Sequence, residues 1–124
     1  MTKPIALITG ASRGIGAATA RLLASSAYDI CINYHENQSA AEKVMKQVED
    51  LGSRACIIQA DISNEEDVIR MFSELSSTLG PVTHLVNNAG ILFPQSRLED
   101  FSAASLQKIF STNVIGTMLC CREA

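Results

Sequence analysis

The chain has 124 residues, 47% of them hydrophobic and 19% charged, a balance that predicts one domain with a real buried core. Its 10 Lys and Arg are interspersed with 13 Asp and Glu for a formal charge of −3, so it has no basic stripe able to displace counterions from a nucleic acid. No stretch approaches the roughly 18 apolar residues of a membrane span, and no charged, then apolar, leader opens the chain; the expected setting is cytoplasmic.

Ile5-Ala6-Leu7-Ile8 is a continuous apolar run closed by Thr9-Gly10, the pattern of a strand buried on both faces of a parallel sheet. From Gly14 the period changes to helical, with Ile15, Ala18, Leu22 and Leu23 predicted on the inner face of a helix reaching about Ser26. Asp29 to Tyr34 is the second predicted strand. Ser39-Ala40-Ala41-Glu42 has the form of a capping box, opening a helix that places Ala41, Val44, Met45, Val48 and Leu51 inward and ends at Gly52. Arg54 to Ala60 is the third strand. Ser63-Asn64-Glu65-Glu66 is a second capping box, opening a helix with Val68, Phe72, Leu75 and Leu79 inward and Gly80-Pro81 as its stop.

Val82 to Asn87 is the fourth strand, followed by a loop through Gly90 and Pro94 and a last helix beginning near Ser102. That helix has no Gly or Pro to end it, so the pattern predicts a chain cut in its last helix. The four cysteines, Cys31, Cys56, Cys120 and Cys121, lack C-x-x-C spacing, sit in apolar stretches and are predicted to be buried, reduced thiols. Strands alternating with helices call for an α/β fold: a doubly wound parallel sheet, here its N-terminal part with strand order 3-2-1-4. The fourth strand would then form an exposed apolar edge, which predicts self-association.

Gly10, Gly14 and Gly16 lie between a buried strand and a helix. Such glycines permit a tight turn, let backbone approach a pyrophosphate, and allow the helix to pack closely on the strand, while the helix N-terminus offers free N–H groups and a positive dipole end to phosphate. The spacing G-x-x-x-G-x-G differs from G-x-G-x-x-G and, taken alone, also fits an ordinary turn; no Gly-Lys-Ser or Gly-Lys-Thr follows to make a P-loop.

Further motifs accompany the turn: Asp61-Ile62 after the third strand, Asn87-Asn88-Ala89-Gly90 after the fourth, and Asn113 within Ser111-Thr112-Asn113-Val114-Ile115-Gly116. In this order and spacing the chain resembles the short-chain dehydrogenase/reductase family over its entire length, in particular its sugar-dehydrogenase-like and oxoacyl-reductase-like bacterial members. The resemblance implies that residues 1–124 are a single NAD(P)-binding Rossmann-type domain, the N-terminal half of an oxidoreductase acting between nicotinamide and a carbonyl or alcohol. It implies that Gly10, Ser12, Arg13, Gly14, Ile15 and Gly16 cradle the pyrophosphate and that Asp61 bonds the adenine amino group beside Ile62. Asn88, Ala89 and Gly90 would line the ribose and nicotinamide side, with Asn87 tying the central strands together.

Each residue also has a plainer reading. Asp61 suits the N-terminal end of a helix, and Asn87-Asn88 suits a turn. Asn113 shares a helical face with Leu106, Phe110 and Thr117, where an unpaired amide would cost about 1 to 3 kcal/mol, so it needs a partner: nearby backbone, or the proton relay that the family resemblance implies. The family's general acid, a Tyr-x-x-x-Lys pair, is not in this chain, because Tyr28 and Tyr34 are followed four positions on by Ile32 and Gln38. A noncatalytic nucleotide-binding or interaction protein is therefore the alternative function; a methyltransferase explains the glycines but not the other motifs.

The acidic residue that grips a ribose in NAD enzymes stands about 20 residues beyond the glycines. Counting reaches Glu36, but the strand ends at the non-acidic Tyr34, the position corresponding to that acid, and Arg13 is placed to pair with a 2′-phosphate. NADP(H) is expected over NAD(H). The loop from Leu92 to Arg97 offers one rim of a substrate pocket, and the last helix, through Leu119, Cys120 and Cys121, is a candidate dimer surface.

Overall fold

The computed structural model describes residues 3–124. Strands β1 (Ile5–Ile8), β2 (Asp29–Tyr34), β3 (Ala55–Gln59) and β4 (His84–Val86) form one parallel sheet in the order β3-β2-β1-β4. Helices α1 (Gly14–Ser25), α2 (Gln38–Asp50) and α3 (Glu65–Thr78) make the crossovers. After β4 come an irregular stretch with a 3₁₀ turn at Leu98–Asp100, helix α4 (Ala103–Phe110), a π-helical turn at Ser111–Gly116 and helix α5 (Thr117–Glu123). Among the described residues no helix is long and apolar enough to cross a membrane.

Strand alternation divides the core in two. Ala6, Ile8, Ile30, Ile32 and Tyr34 pack with Ala17, Ala20 and Ala24 of α1 and Ala41, Val44 and Val48 of α2 on one face of the sheet. Ile5, Leu7, Cys31 and Ile58 pack with Val68, Met71 and Leu75 of α3 and Cys120 of α5 on the other. Every residue of β1 and β2 is buried, which is why β1 reads as an unbroken apolar run and β2 as the run Ile30 to Ile32 flanked by the buried polar Asp29 and Asn33.

Five expectations are corrected. The buried face of α1 is Gly16, Ala17, Ala20 and Ala24, with Leu23 partly buried, while Ala18 is exposed and Ile15 and Leu22 are 79% and 69% exposed. The small residues face inward because Gly16 must lie against the end of β1, and that contact fixes the rotation of the whole helix. Leu51, beyond the end of α2, is exposed rather than inward. The caps stand earlier or later than the capping-box pattern places them: Asn37 accepts from the Ala40 N–H at α2, and Asn64 accepts from the Asp67 N–H at α3. An asparagine carbonyl serves as well as a hydroxyl at this position, so the nearby serines are released for other bonds. Finally, β4 is limited to three residues, and Cys121 is exposed while Cys56 is only partly buried. All four thiols are unpaired.

The opposite end of the sheet from the glycine turn is held by a buried charge. Asp29, 1% exposed, accepts from the Arg54 backbone N–H and Nε, each at 2.9 Å, and Arg54 Nη2 lies 2.8 Å from the same carboxylate. The pair ties the start of β2 to the residue before β3. Removing a buried partner leaves its donors unmatched. Asp29→Ala is expected to lower stability by about 2 to 4 kcal/mol in urea denaturation, with Asp29→Asn losing less because it keeps one acceptor.

Candidate functional site

In parallel α/β sheets the carboxyl ends of the strands open into the crevice where ligands bind. Here the turn after β1, the residues after β2, the Asp61 loop after β3 and the Asn88 loop after β4 surround one cleft of about 670 Å³. Gly10, Ser12, Arg13, Gly14 and Ile15 form one wall, Asp61 and Ile62 a second, and Asn88, Ala89 and Gly90 a third. The motif residues, separated by up to 80 positions in sequence, thus converge. Tyr34 and Glu36 also line the cleft, at the end of β2.

Gly10 and Gly14 take φ of +60° and +58°, a region that residues with a Cβ rarely adopt. Gly16 does not line the cleft. It stands behind the turn, where a Cβ would come within 2.5 Å of Asn88 Nδ2 and 2.8 Å of the Gly10 carbonyl. Its hydrogen lets α1 press onto the strand ends. Arg13, at the head of α1, is extended and makes no side-chain cap, so the first-turn N–H groups and the positive end of the helix face the cleft uncapped by any side chain. That is a fit for an anionic group such as a pyrophosphate.

The wall opposite is pinned by Thr9. Its hydroxyl accepts from the backbone N–H groups of Asn88 and Ala89, both at 3.0 Å, while Asn88 Nδ2 donates to the carbonyls of Thr9 and Gly10, also at 3.0 Å. Asn88, not Asn87, therefore ties the central strands. Asn87 is exposed and donates to Cys121 Sγ at 3.3 Å. Side chains alternate along an extended chain, so only one asparagine of the pair can turn toward β1.

Asn113 lies at the π-helical turn. Its Oδ1 accepts from the Ile91 N–H at 2.8 Å and its Nδ2 donates to the Ile91 carbonyl at 2.9 Å. The amide has the backbone partner that its burial demands, and it fixes the segment leaving Gly90. Phe110 does not share its inward face: the π turn interrupts the 3.6-residue register just after it, and the ring is 57% exposed. Gly116 packs α5 against the Asp61 loop, where a Cβ would come within 2.9 Å of the Ile62 carbonyl.

Several residues around the cleft carried no motif. Thr9 and Asn33 are polar groups at the ends of apolar strands, and that interruption was the available signal. His35 and Lys108 also line the cleft, brought there by tertiary packing, together with Ser63 of the second capping-box pattern and Thr112 of the Asn113 motif. Burial pushes the Asp61 carboxyl up, but hydrogen bonds from the Ser63 hydroxyl and N–H, together with the nearby His35 and Lys108, outweigh it and hold the group below the usual aspartate range. His35 Nε2 is 3.8 Å from the carboxylate. Asp61 therefore meets a ligand as an ionised acceptor at neutral pH.

A depressed native pKa contributes stability that is present above the unfolded value of about 3.9 and is lost as pH falls through the native one. An NMR titration is expected to find Asp61 below that value and to find it raised in Ser63→Ala.

The short chain dehydrogenase family profile matches residues 4–124. An uncharacterized oxidoreductase of Escherichia coli K12, YgfF, is 49% identical over 120 residues, covering 97% of this chain and 49% of that protein. A 3-oxoacyl-[acyl-carrier-protein] reductase of Synechocystis is 35% identical over 124 residues, covering 97% of this chain and 48% of that protein. An NADPH-dependent aldehyde reductase-like chloroplast protein of Arabidopsis thaliana is 38% identical over 131 residues, covering 97% and 48%. The short-chain dehydrogenase/reductase of Serratia marcescens superposes with a TM-score of 0.94 at 29% identity, over 99% of this chain and 50% of that one. The chain thus spans about half the length of the relatives it matches.

Proposed function

The chain belongs to the short-chain dehydrogenase family, and from that membership we propose that it is the cofactor-binding part of an oxidoreductase using a nicotinamide dinucleotide on a carbonyl or alcohol substrate. The observation that carries the reading is the single cleft in which an uncapped helix N-terminus faces an ionised Asp61 and the Asn88–Gly90 loop. A bound nicotinamide dinucleotide would supply or accept the hydride. The chain's own residues bind and orient: Gly10 to Ile15 hold the pyrophosphate on backbone N–H groups, with Gly16 backing the turn, and Asp61 accepts from the adenine amino group with Ile62 beside the ring. Asn88, Ala89 and Gly90 flank the nicotinamide riboside. Asn113 takes part in a proton relay only alongside a Tyr-x-x-x-Lys pair, which this chain does not contain. We assign residues 1–124 to one dinucleotide-binding domain and, with four unpaired thiols, to the cytoplasm.

Of the two dinucleotides, NADP(H) is favoured. The last residue of β2 is Tyr34 rather than a carboxylate that would grip ribose hydroxyls, Glu36 stands two residues further on in the loop, and Arg13 and His35 lie on the rim of the same cleft. Fluorescence titration is expected to give NADPH an affinity about tenfold above that of NADH, with Arg13→Ala removing most of the difference. Tighter NADH binding overturns the preference.

A second reading, nucleotide binding without turnover, is favoured by the tyrosines: Tyr34 is buried in the core, and the Tyr28 ring packs edge-on against His84. Binding of NADPH with no oxidation of it by any aldehyde or ketone supports that reading, and turnover overturns it.

The partners proposed are the dinucleotide, a small carbonyl or alcohol substrate in a full-length form, and a second copy of the chain, with neither nucleic acid nor membrane. Among the described residues β4 pairs with β1 alone, and exposed Phe110, Ile115 and Met118 lie on the helical segment beyond it. Sedimentation is expected to show concentration-dependent self-association that Leu85→Lys weakens; a monodisperse monomer across the concentration range would falsify it.

A further inference from the structure

We infer that Asn33 is a positioning residue that locks the glycine turn to the Asp61 loop, fixing the distance between the pyrophosphate and adenine ends of the cleft. The inference rests on the dinucleotide reading above. β2 lies between β1 and β3, so a residue near its end is flanked by both loops. Asn33 is 2% exposed in a strand whose preceding residues are Ile30, Cys31 and Ile32.

Its contacts run both ways. Toward β1, Oδ1 accepts from the Gly10 N–H at 3.1 Å and the Asn33 carbonyl accepts from the Ala11 N–H at 2.9 Å. Toward β3, Nδ2 donates to the carbonyls of Ala60 at 3.2 Å and Ile58 at 3.3 Å. Ala60 directly precedes Asp61, so one side-chain amide links the backbone of the turn to the backbone that carries the adenine-side carboxylate.

The chemistry of this position requires an amide. A donor and an acceptor are needed at once, and no apolar side chain supplies either. A carboxylate would keep the bond to the Gly10 N–H but turn a negative oxygen toward two carbonyls. A neutral carboxyl keeps the acceptor oxygen and restores one O–H donor in place of the amide's two.

The test uses the 124-residue chain with NADP⁺ and adenosine as probes. Wild type should bind NADP⁺ far more tightly than adenosine. Asn33→Ala is expected to weaken NADP⁺ at least about tenfold and adenosine less than about threefold, because the joint hold on two ends is lost while the adenine contacts persist. Asn33→Asp should resemble Asn33→Ala near pH 8 and approach wild type as the pH falls toward about 5, where burial keeps its carboxyl neutral. Affinities are read as a ratio to wild type at each pH, so that the neighbouring His35 and Asp61, common to both chains, cancel. A role in stability alone would lower the melting temperature while leaving the NADP⁺ to adenosine ratio intact and showing no recovery in acid, and that result overturns the inference. Failure of wild type to bind NADP⁺ overturns the dinucleotide reading instead. Should the variants not fold, amide exchange in wild type remains decisive: slow exchange at Gly10 supports the lock, and fast exchange overturns it.

Discussion

Of the glycines, Gly16 has the tightest surroundings: at the N-terminus of α1 it leaves no more than a hydrogen's space against the Gly10 carbonyl and the Asn88 amide. Much else depends on that contact. It sets the rotation of α1, turning Ala17, Ala20 and Ala24 to the sheet and sending Ile15 and Leu22 to solvent. It aims the first-turn N–H groups across the strand ends. It also brings Asn88 within reach of the Thr9 and Gly10 carbonyls, so that the wall after β4 is built onto the turn after β1. The helix dipole and the free amides act on whatever enters the cleft only because the helix is held this close.

Charge in the cleft follows the same economy. Asp61 stays ionised because Ser63 gives it two hydrogen bonds and His35 and Lys108 stand nearby, while Arg13 lies across the cleft at the head of the helix. The walls therefore offer an ionised acceptor at one end and amides with the Arg13 guanidinium at the other. A ligand bearing both a donor-rich base and a phosphate matches this polarity. Asn113 extends the order outward by clasping both backbone groups of Ile91, just beyond Gly90.

The fold was legible wherever burial dictated period. An unbroken apolar run marked β1 and a short apolar core marked β2, the switch to helical spacing marked the crossovers, and the doubly wound pattern supplied the order β3-β2-β1-β4. The glycines and Asp61 were legible because backbone geometry and strand-end position constrain them locally. Less legible was anything decided across the sheet. Hydrophobicity favoured Leu22 as a core residue of α1, but close packing favoured alanine. The choice between Asn87 and Asn88 turned on which side chain points to β1, and the bonds of Asn33 span 23 and 27 residues. His35 and Lys108 had no local pattern, since only the folded chain brings them to the same rim.

The pairing of β1 with β4 joins residues 78 apart, as between Ala6 and His84, whereas Ile5 meets Asp29 of β2 only 24 positions away. Closing the longer loop costs about 1 kcal/mol more chain entropy, and nearly everything between the two strands must already be compact for β4 to find its place. Loop-closure entropy alone therefore favours formation of the β1-β2-β3 unit before the docking of β4. Because the Thr9 hydroxyl receives its amides from the residues just after β4, the third wall of the cleft is completed by that same docking. Binding across the cleft and closure of the sheet's edge are therefore linked equilibria, and a ligand that spans all three walls stabilises the docked β4.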